Sequence, residues 1–247
     1  MTPLNRRDPP ADGTEVSGLV LAQGLRDTRA VLAGWAQRPW GVLGRWTAGA
    51  FATAVALLLA TWVIAVVETP DPTPMYLPGV HRPGDMADVG HILWRNSLVL
   101  ALHAMACVAG FIARSSLPQE AERYSGAWRW IHDKAGTLAI AFVVCATTFS
   151  LATQAYVLGG GASTLSEQLG ISPALLLVCL LPHALPELTA LFLPLAAWIV
   201  ASRRGDWHEL LAATFVTVAL AAPVLIVSAF VEVYVSPELV LDVIPRS

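Results

Sequence analysis

Charge is what this 247-residue chain has little of: 13% of it is Asp, Glu, Lys or Arg, against about a quarter in an average soluble domain. The charges that exist cluster between long uncharged runs, which excludes an ordinary soluble enzyme. With a net charge of −3 and no basic block, nucleic acid is not an expected partner. Only three cysteines occur, Cys107, Cys145 and Cys179, all inside apolar runs. A disulfide framework has no support, and small packing residues are their simplest use. The sequence also lacks HExxH and GxSxG, and Gly159-Gly160-Gly161 is not followed by the Lys-Ser/Thr of a phosphate loop. His183 and Glu187 are one ligand short of a three-ligand zinc site, which His103 could complete without any spacing that requires it. Glu120, Glu122 and Arg123 read as a solvated charge cluster. No catalytic set, cofactor site or metal site is expected.

What is present is apolar sequence, 55% of the chain. A bilayer core is ~30 Å thick and takes ~20 mostly apolar residues per spanning helix. Ala48–Val67, Ile92–Ala113, Ala135–Leu158 and Leu210–Val231 meet that need. A fifth run, Ile171–Ala201, is longer and contains Pro182, Pro186 and Pro194. The expected fold is all-α, a polytopic transmembrane bundle of five spans over residues 48–232, the fourth broken by prolines. Residues 1–47 form an N-terminal segment too polar for a signal peptide, with an amphipathic interfacial helix around Thr14–Ala36. The Pro-rich stretch Glu68–Gly90 reads as extended and turn-rich, Gly159–Gly170 as a flexible turn, and 233–247 as a short tail.

Lys and Arg set the orientation, because cytoplasmic loops hold their excess. Twelve of the fifteen fall in the N-terminal segment and the loops after spans two and four. Arg82 and Arg246 lie on the other side, and Arg95 sits at a span edge. The N-terminus is therefore expected in the cytoplasm and the C-terminus outside. Trp46, Trp128, Trp130 and Trp207 on one side, and Trp94, Tyr156 and Tyr234 on the other, read as interfacial anchors.

Polar side chains in hydrocarbon turn toward other helices or a cavity. Asn96, His103, Ala106 and Gly110 share one face of span two; Thr147, Ser150 and Gln154 share one of span three. Thr214, Thr217, Ala221, Ser228 and Glu232 do the same in span five. Leu181-Pro182-His183-Ala184-Leu185-Pro186-Glu187 is the most informative segment. Two prolines four apart should interrupt the helix and free carbonyls for other partners. Glu187 at membrane depth must be neutral, paired or hydrated. His183, four positions away, is close enough to pair with it if the backbone stays near helical. A broken helix with two ionisable groups is a common intramembrane site, and hydrogen bonds tying the bundle together are the plainer use. The candidate polar site is Asn96, His103, Pro182, His183, Pro186, Glu187 and Glu232.

The string Pro182-His183-Ala184-Leu185-Pro186-Glu187 resembles the Pro-His-Gly-x-x-Glu core of the stage II sporulation protein M family. Asn96 at the start of span two, and Glu232 followed by Pro237 after span five, are similar to the family's asparagine and Glu-to-Pro ending. The likeness runs over roughly Ile92–Val240. Ala184 replaces the family's usual glycine, and the family's Asn-Gly pair is not evident around Tyr156–Gly159. The resemblance implies a noncatalytic scaffold or assembly subunit of the bacterial cytoplasmic membrane, holding protein partners or a second copy of itself. The alternative that the residues allow is a transporter or channel subunit with a polar intramembrane site around His183 and Glu187.

Overall fold

A computed structural model describes residues 28–116 and 127–245. Most of the expected interfacial helix, the Glu120–Arg123 cluster and Arg246 lie outside the described residues. Seven α-helices carry the fold: α1 (Pro39–Val67), α2 (Met86–Phe111), α3 (Ala127–Leu169), α4 (Pro173–Leu191), α5 (Leu193–Arg204), α6 (Leu210–Tyr234) and α7 (Ser236–Val243). A helical stretch over 28–37 precedes α1, and α2 runs on into a π-helical turn, Ile112–Ser116. Among the described residues there is no strand, only an isolated bridge between Pro78 and Arg82.

Five of these segments are long and apolar enough to cross a bilayer, and their large apolar side chains point outward. Leu59, Met105, Phe142, Phe149, Phe215 and Val227 are all exposed. In water such a surface would be an aggregation liability; against acyl chains it costs nothing. The fold is that of a multi-pass membrane protein.

The centre of the bundle is the junction of α4 and α5. Residues 190–198 are buried without interruption, and nine consecutive helical positions cover every face, so this stretch is enclosed on all sides. It packs on α1, α2 and α6. The break in the fourth span lies here, at Phe192 (φ −91°, ψ 0°), just ahead of Pro194. Pro182 and Pro186 do not interrupt the chain; they sit inside a continuous α4, on its exposed side. A proline in a helix removes one donor and can be absorbed by bending. At Pro194 the chain takes the other course and restarts, with Pro194 in the first turn of α5, where a missing N–H costs nothing.

α3 lies at the edge, mainly against α1, and among the described residues its backbone does not come close to α5 or α6. Its 43 residues span about 65 Å, twice the hydrocarbon thickness. Residues 159–169, expected as a flexible turn, are the last turns of this helix, and the chain reverses at Gly170 with φ +66°. Gly159 serves a close approach: a Cβ there would stand 2.5 Å from Ile64 Cγ2 of α1.

The segment between α1 and α2 forms a cap at this end of the bundle. Ser163 Oγ donates to the Glu68 carbonyl (3.0 Å), Asp71 N–H to Thr164 Oγ1 (3.0 Å) and Met75 N–H to Gln168 Oε1 (2.9 Å). Gly79 and Gly84 lie against Pro237 and Val233. Asp85 then caps α2, accepting from the Ala87 and Asp88 N–H groups, and the Asp88 carboxylate returns to the Asp85 N–H. Arg82 pairs with Asp88 and holds its carboxyl below the usual carboxylate range. Trp94, Tyr156 and Tyr234 are exposed near this end, as anchors should be. Trp46 is not an anchor; it is buried, edge-on to Trp35 at 5.0 Å.

Candidate functional site

The polar faces read from the sequence turn inward, unequally. His103, Ala106 and Gly110 of α2 and Thr217, Ala221 and Ser228 of α6 are buried; Thr147, Ser150 and Gln154 of α3 are half-buried. Most of the hydroxyls are satisfied within their own helices: Thr214 donates to Leu210 O (2.8 Å), Thr217 to Ala213 O (2.7 Å), and Gln154 Nε2 to Ser150 Oγ (3.0 Å). These groups pack and need nothing further.

Glu187, Asn96 and Glu232 are different. They line one cavity of about 460 Å³ between α2, α3, α4 and α6. Gln154 and Thr153 of α3 and Arg95 of α2 complete its polar lining, and Val99, Val157 and Leu191 are among its apolar walls. The Asn96 amide faces the Glu187 carboxyl, and Glu187 Oε2 and Asn96 Nδ2, both buried, have no partner at close hydrogen-bonding geometry. Arg95 is close enough to act on both glutamates, yet forms no ion pair with either. The arrangement is two carboxyls and one guanidinium lining a space large enough for a small ligand. Chemically it can bind a cation or a proton and offer amide groups beside it. Among the described residues no three His, Cys, Asp or Glu gather as a metal-ligand set.

The structure divides the remaining predicted residues. His183 does not pair with Glu187: its Nδ1 is 2.6 Å from Ser236 Oγ, in a buried bond that ties α4 to the start of α7. Residues four apart share a helix face only approximately, and here the imidazole turns to α7 while the carboxylate turns to the cavity. Pro182 and Pro186 are exposed on α4 and line no polar site. His103 lies deeper, fully buried, with its ring edge-on to Phe192 at 5.4 Å and next to the Leu191 carbonyl, and neither ring nitrogen meets a partner at hydrogen-bonding geometry.

Arg95, Gln154 and Ser236 were missing from the predicted set. Arg95 stands beside Asn96 and could have been inferred from that adjacency. Ser236 opens a Ser-Pro-Glu sequence of the kind that starts a helix, which was the available signal for α7. No known protein family, curated protein or solved structure matches this chain.

Proposed function

We propose that the protein works in the bacterial cytoplasmic membrane as a transporter or channel subunit that binds a cation at Glu187 and Glu232. The observation that carries this reading is the meeting of the two carboxyls with Asn96 in one cavity among the spanning helices. Acidic side chains there are expensive, and a water-reachable cation site is their commonest use. The excess of Lys and Arg at the end that carries Arg203 and Arg204 supports a cytoplasmic setting for it, with the cap and the cavity in the extracytoplasmic half. Rubidium uptake by vesicles containing the purified protein should fall to the level of empty vesicles with Glu187→Gln. Uptake unchanged by that substitution overturns the reading.

A noncatalytic scaffold, as the likeness to stage II sporulation protein M implies, is the second reading. It is supported by the cap, whose backbone is pinned by the side chains of α3 and so offers a fixed outer surface to a partner or a second copy. Purification in mild detergent should then retain a partner or a dimer, and a lone monomer speaks against it.

A further inference from the structure

The cavity that holds Glu187 and Glu232 is built of two unlike parts. Its polar lining carries both signs of charge, the two carboxyls and the Arg95 guanidinium, with the amides of Asn96 and Gln154 beside them. Its other walls are apolar, and Val99 on α2 and Leu191 on α4 carry them one turn further from the cap. A cavity of about 370 Å³ between α1 and α4 is lined by Val, Leu, Ala and Trp alone. Acyl chains can lie against that one, but a polar head would lose its water there for nothing. Charge is what sets the first cavity apart.

Its way in is sideways. Among the described residues it is lined by α2, α3, α4 and α6, with nothing from the cap. The cap crosses this end of the bundle with Gly84 against Val233, the residue after Glu232. At the far end the turn that follows α2 closes on α3, where a Cβ on Gly136 would stand 2.5 Å from the Ala113 carbonyl oxygen. Nearer the cap, Arg95 and Leu98 of α2 and Thr153, Val157 and Leu158 of α3 line the cavity and are nevertheless exposed. Residues that line a cavity and also face outward form its opening, so this one gives onto the lipid-facing flank between α2 and α3. Its depth agrees. Exposed Trp94 adjoins Arg95, exposed Tyr156 adjoins Val157, and exposed Tyr234 is two residues from Glu232. Such aromatics mark the level of lipid head groups.

An inorganic cation would use only part of this lining. The guanidinium acts on both carboxyls and opposes a further positive charge, and the apolar walls give an ion no oxygen ligand. A zwitterion on an apolar tail uses all of it. We propose that the cavity takes the head group of a membrane lipid in which a primary ammonium stands beside a phosphate, entering from the bilayer between α2 and α3. The ammonium donates to the Glu187 and Glu232 carboxylates, the phosphate accepts from Arg95, and the acyl chains stay in the membrane along Leu98 and Val157. The inference rests on the reading of the two glutamates as a cation site and names the cation. A primary ammonium has three N–H donors and a trimethylated one has none, so the site should separate heads of equal charge.

The test is native mass spectrometry of the full chain, released from detergent micelles that contain equal amounts of phosphatidylethanolamine and phosphatidylcholine. These heads differ only in the methyl groups on nitrogen. Wild type should retain phosphatidylethanolamine over phosphatidylcholine by about tenfold, the effect of charge-assisted hydrogen bonds that the methylated head cannot make. Glu187→Gln should abolish the preference, and Arg95→Gln should lower retention of both lipids alike, because both carry the phosphate. Glu238→Gln, an exposed acid at the same end but outside the cavity, should change nothing. Should Glu187→Gln not fold, Val157→Trp narrows the opening with both carboxyls in place and should cut retention. Phosphoethanolamine without acyl chains should not displace the lipid at equal concentration; displacement would make the ligand a soluble zwitterion and overturn the lipid assignment. Equal retention of the two lipids by wild type overturns the proposal, as does a preference that survives both Glu187→Gln and Val157→Trp. If the preference is absent while rubidium uptake still requires Glu187, the lipid fails and the cation site stands. If rubidium uptake also ignores Glu187, the site reading fails with it.

Discussion

α3 and α4 are equally apolar by mean hydropathy, yet 11% of the most apolar window in α3 is buried inside the protein, against 33% in α4. α4 leads directly into the stretch that every other central helix touches, while α3 leans on α1 from outside. Hydropathy reports transfer from water into the membrane and is blind to whether lipid or protein then surrounds the side chain. What separates the two helices is the polar minority. In α3 Gln154 is bonded to Ser150 and Thr164 and Gln168 to the cap, so these groups do not depend on the central helices. In the fourth span a glutamate, a histidine and a proline break all depend on neighbouring helices.

Truncation at matched positions should give the largest contrast. Phe192 is 0% exposed at the α4–α5 junction, and Phe149 on α3 is 74% exposed. Phe192→Ala should cost about 3 kcal/mol, and Phe149→Ala less than about 0.5 kcal/mol, as measured by unfolding in detergent. Equal losses would mean that α3 is held far more firmly than its contacts indicate.

A smaller effect is expected where α3 meets α1. Gly159→Leu should cost about 1–3 kcal/mol, since the new side chain starts 2.5 Å from Ile64 Cγ2. Gly160→Ala meets nothing within 4 Å and should stabilise the helix by about 0.5–1 kcal/mol. The same unfolding measurement checks both, and a neutral Gly159→Leu would show that the contact between α1 and α3 is loose.

Asp85→Ala removes the cap of α2 and should cost about 1 kcal/mol, seen as faster amide exchange over the first turn of α2. The weakest effect should be that of acid on the Arg82–Asp88 pair of the cap. Asp88 is held below its ordinary range by Arg82. Its contribution is therefore complete above that range and is lost as pH falls through the lowered value. Amide exchange across residues 82–88 should quicken at that point, and Asp88→Asn should show the quick rate at neutral pH.

The number of spans, their approximate limits and the inward polar faces were legible because transfer free energy and helical periodicity act along the chain itself. The length of α3 was not. Three consecutive glycines read as a turn, and only the approach of Ile64, distant in sequence, shows why a helix tolerates Gly159 there. The break was assigned to Pro182 and Pro186 because proline chemistry is visible in sequence, whereas the enclosure that makes the chain restart at Phe192 is not. At the site, Asn96, Glu187 and Glu232 could be singled out because charge or amide in hydrocarbon is conspicuous. The partner of His183 could not, since Ser236 lies beyond the last span and only the fold brings it back.

Because the backbones of α3 and α6 do not approach closely among the described residues, the width of the space between them is set elsewhere. The cap is hydrogen-bonded at one end to Ser163, Thr164 and Gln168 and lies at the other, through Gly79 and Gly84, against Val233 and Pro237. It therefore lies across the mouth, bonded to α3 and packed on the last turn of α6 and the start of α7.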